Sequence, residues 1–470
     1  MFIFNWLFSQ GATVIVPVVV ILLGLIFRVP MKRTLPSALK IGVGFTALFA
    51  IIGVALGSMI EAGNFIAERF GTGLTVTDVG WPVVSSMVFS TAYTLPIIAG
   101  LILANAVLVS VGFVKTLNVD VFNQWQYVFA MMLVYLSTGS WVVAGVVLVI
   151  MWLLSLKLGD WSAPFIQTYY DMPGVSIPHF PTVVWAPICF FMDKVWDRVP
   201  VIKDIHWDPE NMEDRLGIFG EPVFIGFFVG LIFGGLSFFG NAAIGDFGAQ
   251  LSKVISLSLT LAFFVVLLPR AAEMIVAGLV PLSQGIQTVI AKRMPGRKFY
   301  IGLDVAVLVG RVEHIALGAI LVPLVYVAAL LMPGNRVLPL ADAAGFMIFF
   351  SVFAINTNKG NLFRGILNCM LVLFPFTFFV ANKMITRIAS LSTSIGFAMP
   401  AEEVSSLSPA SNPFIYVFDE LGRAISGNGG NILAAVIVVA VYAAIFWSVK
   451  NVPAEFQAEY GDEPTVEKVS

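Results

Sequence analysis

The sequence predicts an all-α polytopic membrane protein with about ten to twelve transmembrane helices and two re-entrant hairpins. Three observations carry this. Of 470 residues, 59% are hydrophobic and 11% charged, against about 25% charged in ordinary soluble domains. The mean hydropathy is +0.93. Long apolar runs recur along the whole chain, separated by short polar stretches. A soluble fold of this composition would expose more apolar surface than water tolerates. Two cysteines exclude a disulfide scaffold, and 41 phenylalanines exclude disorder. A net charge of −2 and a pI near 6.0 give no footprint for nucleic acid.

The N-terminus, Met1–Gln10, has no positive n-region and reads as retained rather than as a signal peptide. Nine runs then read as spans: Gly11–Phe27, Ile41–Ile60, Tyr93–Val114, Val128–Leu156, Glu221–Phe239, Val254–Leu268, Ile315–Leu331, Ile366–Val380 and Ile432–Val449. Two further segments are apolar but broken. Pro178–Met192 carries prolines at 178, 181 and 187, and Arg336–Ala354 opens on a polar stretch. Interrupted backbone is tolerated at membrane depth only where it lines a cavity, and one such segment in each half points to a transporter's binding site.

A faint internal echo accompanies this. A Gly-rich span leads through Asn64–Arg69 to Asp78, and Glu273–Arg293 leads to Asp304, although the spacing of later elements does not match. Basic residues cluster at Arg28–Lys40, Lys194–Arg215 and Lys292–Lys298, which places those loops in the cytoplasm. Residues 1–455 read as one membrane domain with scaffold and core interleaved, and 456–470 as a polar tail. Cys189 and Cys369 sit in apolar runs and read as buried thiols; no CxxC, HExxH or GxxxxGK[ST] pattern signals a metal or nucleotide, and no cofactor is expected.

A charge at a helix centre costs about 3 kcal/mol on insertion scales, so ionisable residues beside apolar runs mark candidate sites. Asp304 stands between apolar stretches with no basic residue within four positions, and suits a helix N-cap as well. Asp120, Asn123 and Gln124 are spaced to share one helical face, and an acid with two amides suits several hydroxyls. His179 lies between prolines at the mouth of the first broken segment. Asp78, with Trp81 beside it, pairs an acid with an aromatic platform. His206 reads as solvated and His314 as structural.

Together these segments resemble the membrane-embedded EIIC subunit of the bacterial phosphoenolpyruvate-dependent phosphotransferase system (PTS), galactitol type. The matching pieces are DVGWP (78–82), NVD (118–120), TGSW (138–141), LGDW (158–161), IPH (177–179), FGEP (219–222), IGLD (301–304) and GNLFR (360–364), in family order over nearly the whole chain. The chain is more distantly similar to the ascorbate branch. The resemblance implies a homodimer in the bacterial inner membrane, with a scaffold and a mobile core that moves like an elevator. It implies a polyol or sugar substrate and a soluble EIIB partner, served by EIIA, whose phosphocysteine donates the phosphoryl group. Positions equivalent to Asp120, Gln124, His179 and Asp304 would line the substrate site, with Asp78 close by. Asn123 and Trp81 would add contacts, and His179 or Asp304 would accept the proton. Departures from the galactitol pattern surround this pocket: Phe180 follows IPH, Val83-Val84 follow DVGWP, and Arg311 and Glu313 follow GLD. They leave the polyol open. An ion-coupled sugar transporter that phosphorylates nothing is the alternative reading, and a channel or receptor the remote third.

Overall fold

The computed structural model describes residues 12–26, 28–70, 76–118, 122–207, 222–293, 299–308, 311–339, 342, 352–399, 402–410 and 412–460. Backbone polar groups in a bilayer must be satisfied within the segment, so the apolar runs become helices. Four of them, α1 (Ala12–Ile26), α2 (Met31–Phe70), α9 (Pro222–Phe238) and α10 (Phe247–Arg293), pack on one another. The packing is built on small residues. Gly226, Gly230 and Gly234 repeat every four residues on α9 and face α10. A Cβ at Gly226 would stand 2.7 Å from the Leu261 carbonyl oxygen, and one at Gly230 would overlap Ser258 Cα. Lipid gives no hydrophobic drive for helix association, so close backbone contact must supply it.

Each long helix, α2 and α10, leads into a short strand. β1 (Val76–Asp78) lies between β5 (Val337–Leu338) and β6 (Val404–Ser405), all parallel. β4 (Tyr300–Gly302) lies between β2 (Thr116–Asn118) and β3 (Val175–Ser176), again all parallel. The central strand of each sheet thus comes from the opposite half of the chain to its neighbours. The order of elements repeats: long helix, central strand, apolar helix, strand, long helix, strand, broken helix pair. This interlocked repeat gives the faint echo its structural meaning. The all-α expectation is corrected to a mostly helical fold with two small sheets. Strands of two or three residues are too short to leave a period-two pattern in the sequence.

Between strands run α3 (Gly80–Phe89), α4 (Thr94–Ser110), α5 (Trp125–Thr138), α6 (Trp141–Tyr169), α7 (Phe180–Val183), α8 (Ala186–Trp196) and α11 (Val312–Leu331). After β5 come α12 (Val352–Asn356) and α13 (Leu362–Asn368), which runs through a π-turn at Cys369–Leu373 into α14 (Phe374–Ser394). Pro375 has no N–H to give the preceding turn, which accounts for the widened register. The chain closes with α15 (Leu407–Ala410), α16 (Pro413–Ile425), α17 (Ile432–Val449) and α18 (Val452–Tyr460). Phe456 of α18 packs on Phe165, so the expected tail boundary at 455 lies inside a helix, and residues 461–470 lie outside the described residues.

Among the described residues six helices are long and apolar enough to cross a membrane: Met31–Ile66, Trp141–Tyr169, Phe247–Leu267, Val312–Leu331, Leu362–Ser394 and Ile432–Tyr460. Two shorter apolar helices are Pro96–Ser110 and Gly226–Phe238. The described residues also include many short helices. The run Val128–Leu156, read as one span, is two helices. Gly139 takes φ 63° and ends α5, while the Ser140 hydroxyl accepts the Val143 amide and starts α6. The α17 helix presents Leu433, Val436, Ile437 and Trp447 outward, an apolar face suited to lipid. The second broken segment, 336–354, falls largely outside the described residues. The first is two short helices, α7 and α8, interrupted at Val184–Trp185. Cys189 and Cys369 are both fully buried.

Candidate substrate site

The sheet β2-β4-β3 organises the site. Asp160 of the LGDW motif accepts the amides of Lys115 and Thr116 and the Thr116 hydroxyl, and so holds the edge of β2. Asn105 of α4 donates to the Thr116 carbonyl and accepts the Asn118 amide, satisfying that edge as a neighbouring strand would. The Thr116 and Ser176 hydroxyls meet at 2.9 Å across the sheet. At the centre stands Gly302. A Cβ there would lie 2.7 Å from Thr116 Cγ2, 2.8 Å from Pro178 Cγ and 3.0 Å from Asn118 Cα, so only glycine lets the three strands approach.

Three loops leave the carboxyl ends of these strands, the place where parallel sheets present ligand groups. The loop after β4 carries Asp304. One carboxylate oxygen accepts the Ala306 amide at 2.7 Å, starting a 3-10 turn over Val305–Leu308, and the other accepts Asn123 Nδ2 at 2.6 Å. Asp304 is therefore both a cap for that turn and the anchor of the Asn123 side chain. The loop after β2 leads into a 3-10 turn, Phe122–Gln124, and then α5. Gln124 is 1% exposed, and its Oε1 has no partner. A buried acceptor without a donor costs about 1–3 kcal/mol, and such a cost marks a place for a guest. The loop after β3 carries His179, whose Nδ1 meets Thr182 Oγ1 at 2.8 Å, leaving Nε2 for a ligand. Burial pushes the imidazole down to about 4, while the Asp304 carboxylate pulls the other way. At neutral pH His179 is uncharged.

The structure thus gathers His179, Asp304, Asn123 and Gln124 around one sheet. Asp120 lies outside the described residues. The helical face proposed for Asn123 and Gln124 is a 3-10 turn instead, because it must bend from β2 into α5. Asp78 belongs to the other sheet. Its oxygens accept the amides of Gly80 at 3.1 Å and Asp342 at 2.9 Å. Asp342 in turn accepts the amides of Trp81 and Ser408 and the Ser406 hydroxyl. Trp81 is half-buried there. The two buried carboxylates tie the loops of the first sheet together. Sequence reasoning missed Thr182 and Asp342. Thr182 had a usable signal, a hydroxyl three residues after His179; Asp342 meets its partners only through the fold.

An apolar helical body with polar side chains converging on interrupted backbone defines a multi-pass membrane protein with an interior polar site. The chain belongs to the EIIC-GAT family of PTS system sugar-specific permease components, whose model matches residues 6–401. A permease IIC component of Escherichia coli (strain K12) is 32% identical over 444 residues, covering 94% of this chain and 97% of the relative. The galactitol-specific EIIC component of the PTS in the same strain is 29% identical over 440 residues, covering 94% and 95%. The counterpart in Escherichia coli O157:H7 gives the same identity and coverage.

Proposed function

We propose that this chain binds a polyol or closely related sugar and carries it across the bacterial inner membrane, where a soluble EIIB subunit phosphorylates it. The observation that supports this best is the convergence of His179, Asp304, Asn123 and Gln124 at the carboxyl ends of β2, β4 and β3. Asn123 is already drawn to Asp304, so the carboxylate is held but not neutralised by a cation in that bond. A ring of an acid, two amides and a neutral imidazole both donates and accepts, as a polyhydroxyl solute requires. Asp120, two residues past the end of β2, is positioned in sequence to join it.

Phosphoryl transfer would then proceed at the cytoplasmic face. A substrate hydroxyl oxygen attacks phosphorus, the S–P bond of the EIIB phosphocysteine breaks, and the thiolate leaves. His179 Nε2 or the Asp304 carboxylate takes the hydroxyl proton. The product carries a phosphate that the Asp304 carboxylate repels, so it re-binds poorly and uptake becomes irreversible without an ion gradient. Burial of Cys189 and Cys369 supports a donor on a separate chain. The sheet-bearing body would move as an elevator against the α1, α2, α9 and α10 bundle, within a homodimer.

Purified protein in lipid vesicles tests the reading. Uptake and phosphorylation of radiolabelled galactitol, or of a related hexitol, should require EIIB, EIIA and the upstream phosphocarriers. Concentrative uptake driven by a proton or sodium gradient alone would overturn it and favour the ion-coupled carrier.

A further inference from the structure

A second polar cluster lies where α6 ends and α11 begins. Tyr170 Oη meets His314 Nε2 at 2.7 Å and accepts from Asn356 Nδ2. Tyr169 Oη donates to Glu313 Oε1 at 3.0 Å. Arg311 pairs with the same carboxylate, donates to the Tyr169 carbonyl at 2.9 Å and lies over the Tyr169 ring at 4.5 Å. Glu313, His314 and Asn356 are 2%, 0% and 0% exposed. Each nevertheless keeps one polar atom without a partner: Glu313 Oε2, His314 Nδ1 and Asn356 Oδ1.

Three such atoms in one cluster call for a guest, since each costs about 1–3 kcal/mol when left alone. Their chemistry limits it. A carboxylate oxygen and an amide oxygen only accept, so the guest must donate. Arg311 already balances Glu313, so neither an anion nor a cation gains by entering. A neutral donor remains, and that is a hydroxyl. The location bears on the site as well: Tyr170 precedes the strand that delivers His179, and Arg311 follows the loop that holds Asp304. Arg311 and Glu313 are also where the sequence departs from the galactitol pattern.

We propose that Glu313, His314 and Asn356 form a second hydroxyl-binding subsite that selects which polyol this permease accepts. The proposal rests on the polyol reading above. It places selectivity in a cluster whose flanking residues, Tyr170 and Arg311, lie close in sequence to the segments that carry His179 and Asp304.

Calorimetric titration of the purified full-length protein tests it. The hexitols galactitol, mannitol and glucitol are measured first, then analogues of the tightest binder that each lack one hydroxyl. In the wild type one analogue should bind at least about tenfold more weakly than its parent. In Glu313→Gln and in Asn356→Ala that penalty should fall below about threefold, as coupled groups require. Penalties unchanged in both variants would overturn the subsite and leave the cluster a site for water alone. Two variants on different helices guard against one that fails to fold. If no hexitol binds the wild type, the polyol reading itself fails, and this subsite with it.

Discussion

His179 shows how one residue links fold and function. Its imidazole is buried between the end of β3 and α7, and burial pushes its pKa from 6.5 down to about 4. The unfolded chain binds a proton through that interval and the folded one does not. Stability attributable to this residue is therefore complete above about 6.5 and is lost as pH falls toward about 4. Denaturation midpoints measured from pH 7 to 4 should fall in the wild type, and more shallowly in His179→Gln. Substrate binding should be level from pH 8 to about 5 and drop near 4; a change centred near 6.5 would show that the imidazole is not buried as described. At the neighbouring position, Asp304→Asn keeps the volume but exchanges an acceptor for a donor facing Asn123 Nδ2. Hexitol affinity should drop by about tenfold or more, with the Ala306 cap weakened by about 1 kcal/mol.

At the scale of elements, the site loops are fixed by what lies beneath them. Gly302→Ala forces a Cβ into Thr116, Pro178 and the Asn118 backbone, so it should separate the strands and abolish binding while the helical content seen by circular dichroism stays near the wild type. A second clasp joins α8 to α13. Arg364 pairs with Asp193 and Asp197 at 2.9 Å each, and Asn361 of the same GNLFR motif accepts the Trp207 amide and donates to the Ile205 carbonyl. Burial pushes Asp193 up to about 6 and Asp197 adds to it, while Arg364 opposes both. Arg364→Ala strands that carboxylate and should destabilise by on the order of 3 kcal/mol, read as a lower thermal midpoint. Asp193→Asn in the same chain should recover part of it. Arg364 is thus held by its acids, while Lys359 donates to the Tyr460 hydroxyl.

For the molecule as a whole, the interlocked repeat has a mechanical consequence. Each sheet draws its central strand from the other half, so neither half can complete a sheet alone. The two halves expressed as separate chains should each fail to bind hexitol, and co-expression should restore binding. The helix bundle that carries α9 depends on its glycine stripe. Gly230→Leu pushes α9 off α10 and should abolish uptake through loss of folded protein, measured by size-exclusion chromatography, whereas Gly53→Leu, at an open position on α2, should not.

Much of this was legible in the chain before folding, and its limits are physical. The spans were legible because lipid demands runs of about 20 apolar residues. The break inside Val128–Leu156 had its signal in Thr138-Gly139-Ser140, a helix stop followed by a helix start, but apolar residues on both sides masked it. His179, Asp304, Asn123 and Gln124 stood out because polar groups are costly in such a chain. Asp78 stood out for the same reason, yet the fold gives its oxygens to backbone amides of the other sheet.

By itself, then, the sequence determined the solvent this protein lives in, the helical periods, and which few polar residues needed explaining, because those follow from composition and local spacing. The tertiary structure alone decided which of them meet. Strands two or three residues long carry no local signature, and their pairing joins positions more than a hundred residues apart, such as Leu117 with Ile301. That pairing sets Asp304 beside Asn123, and it is a property of contacts rather than of runs.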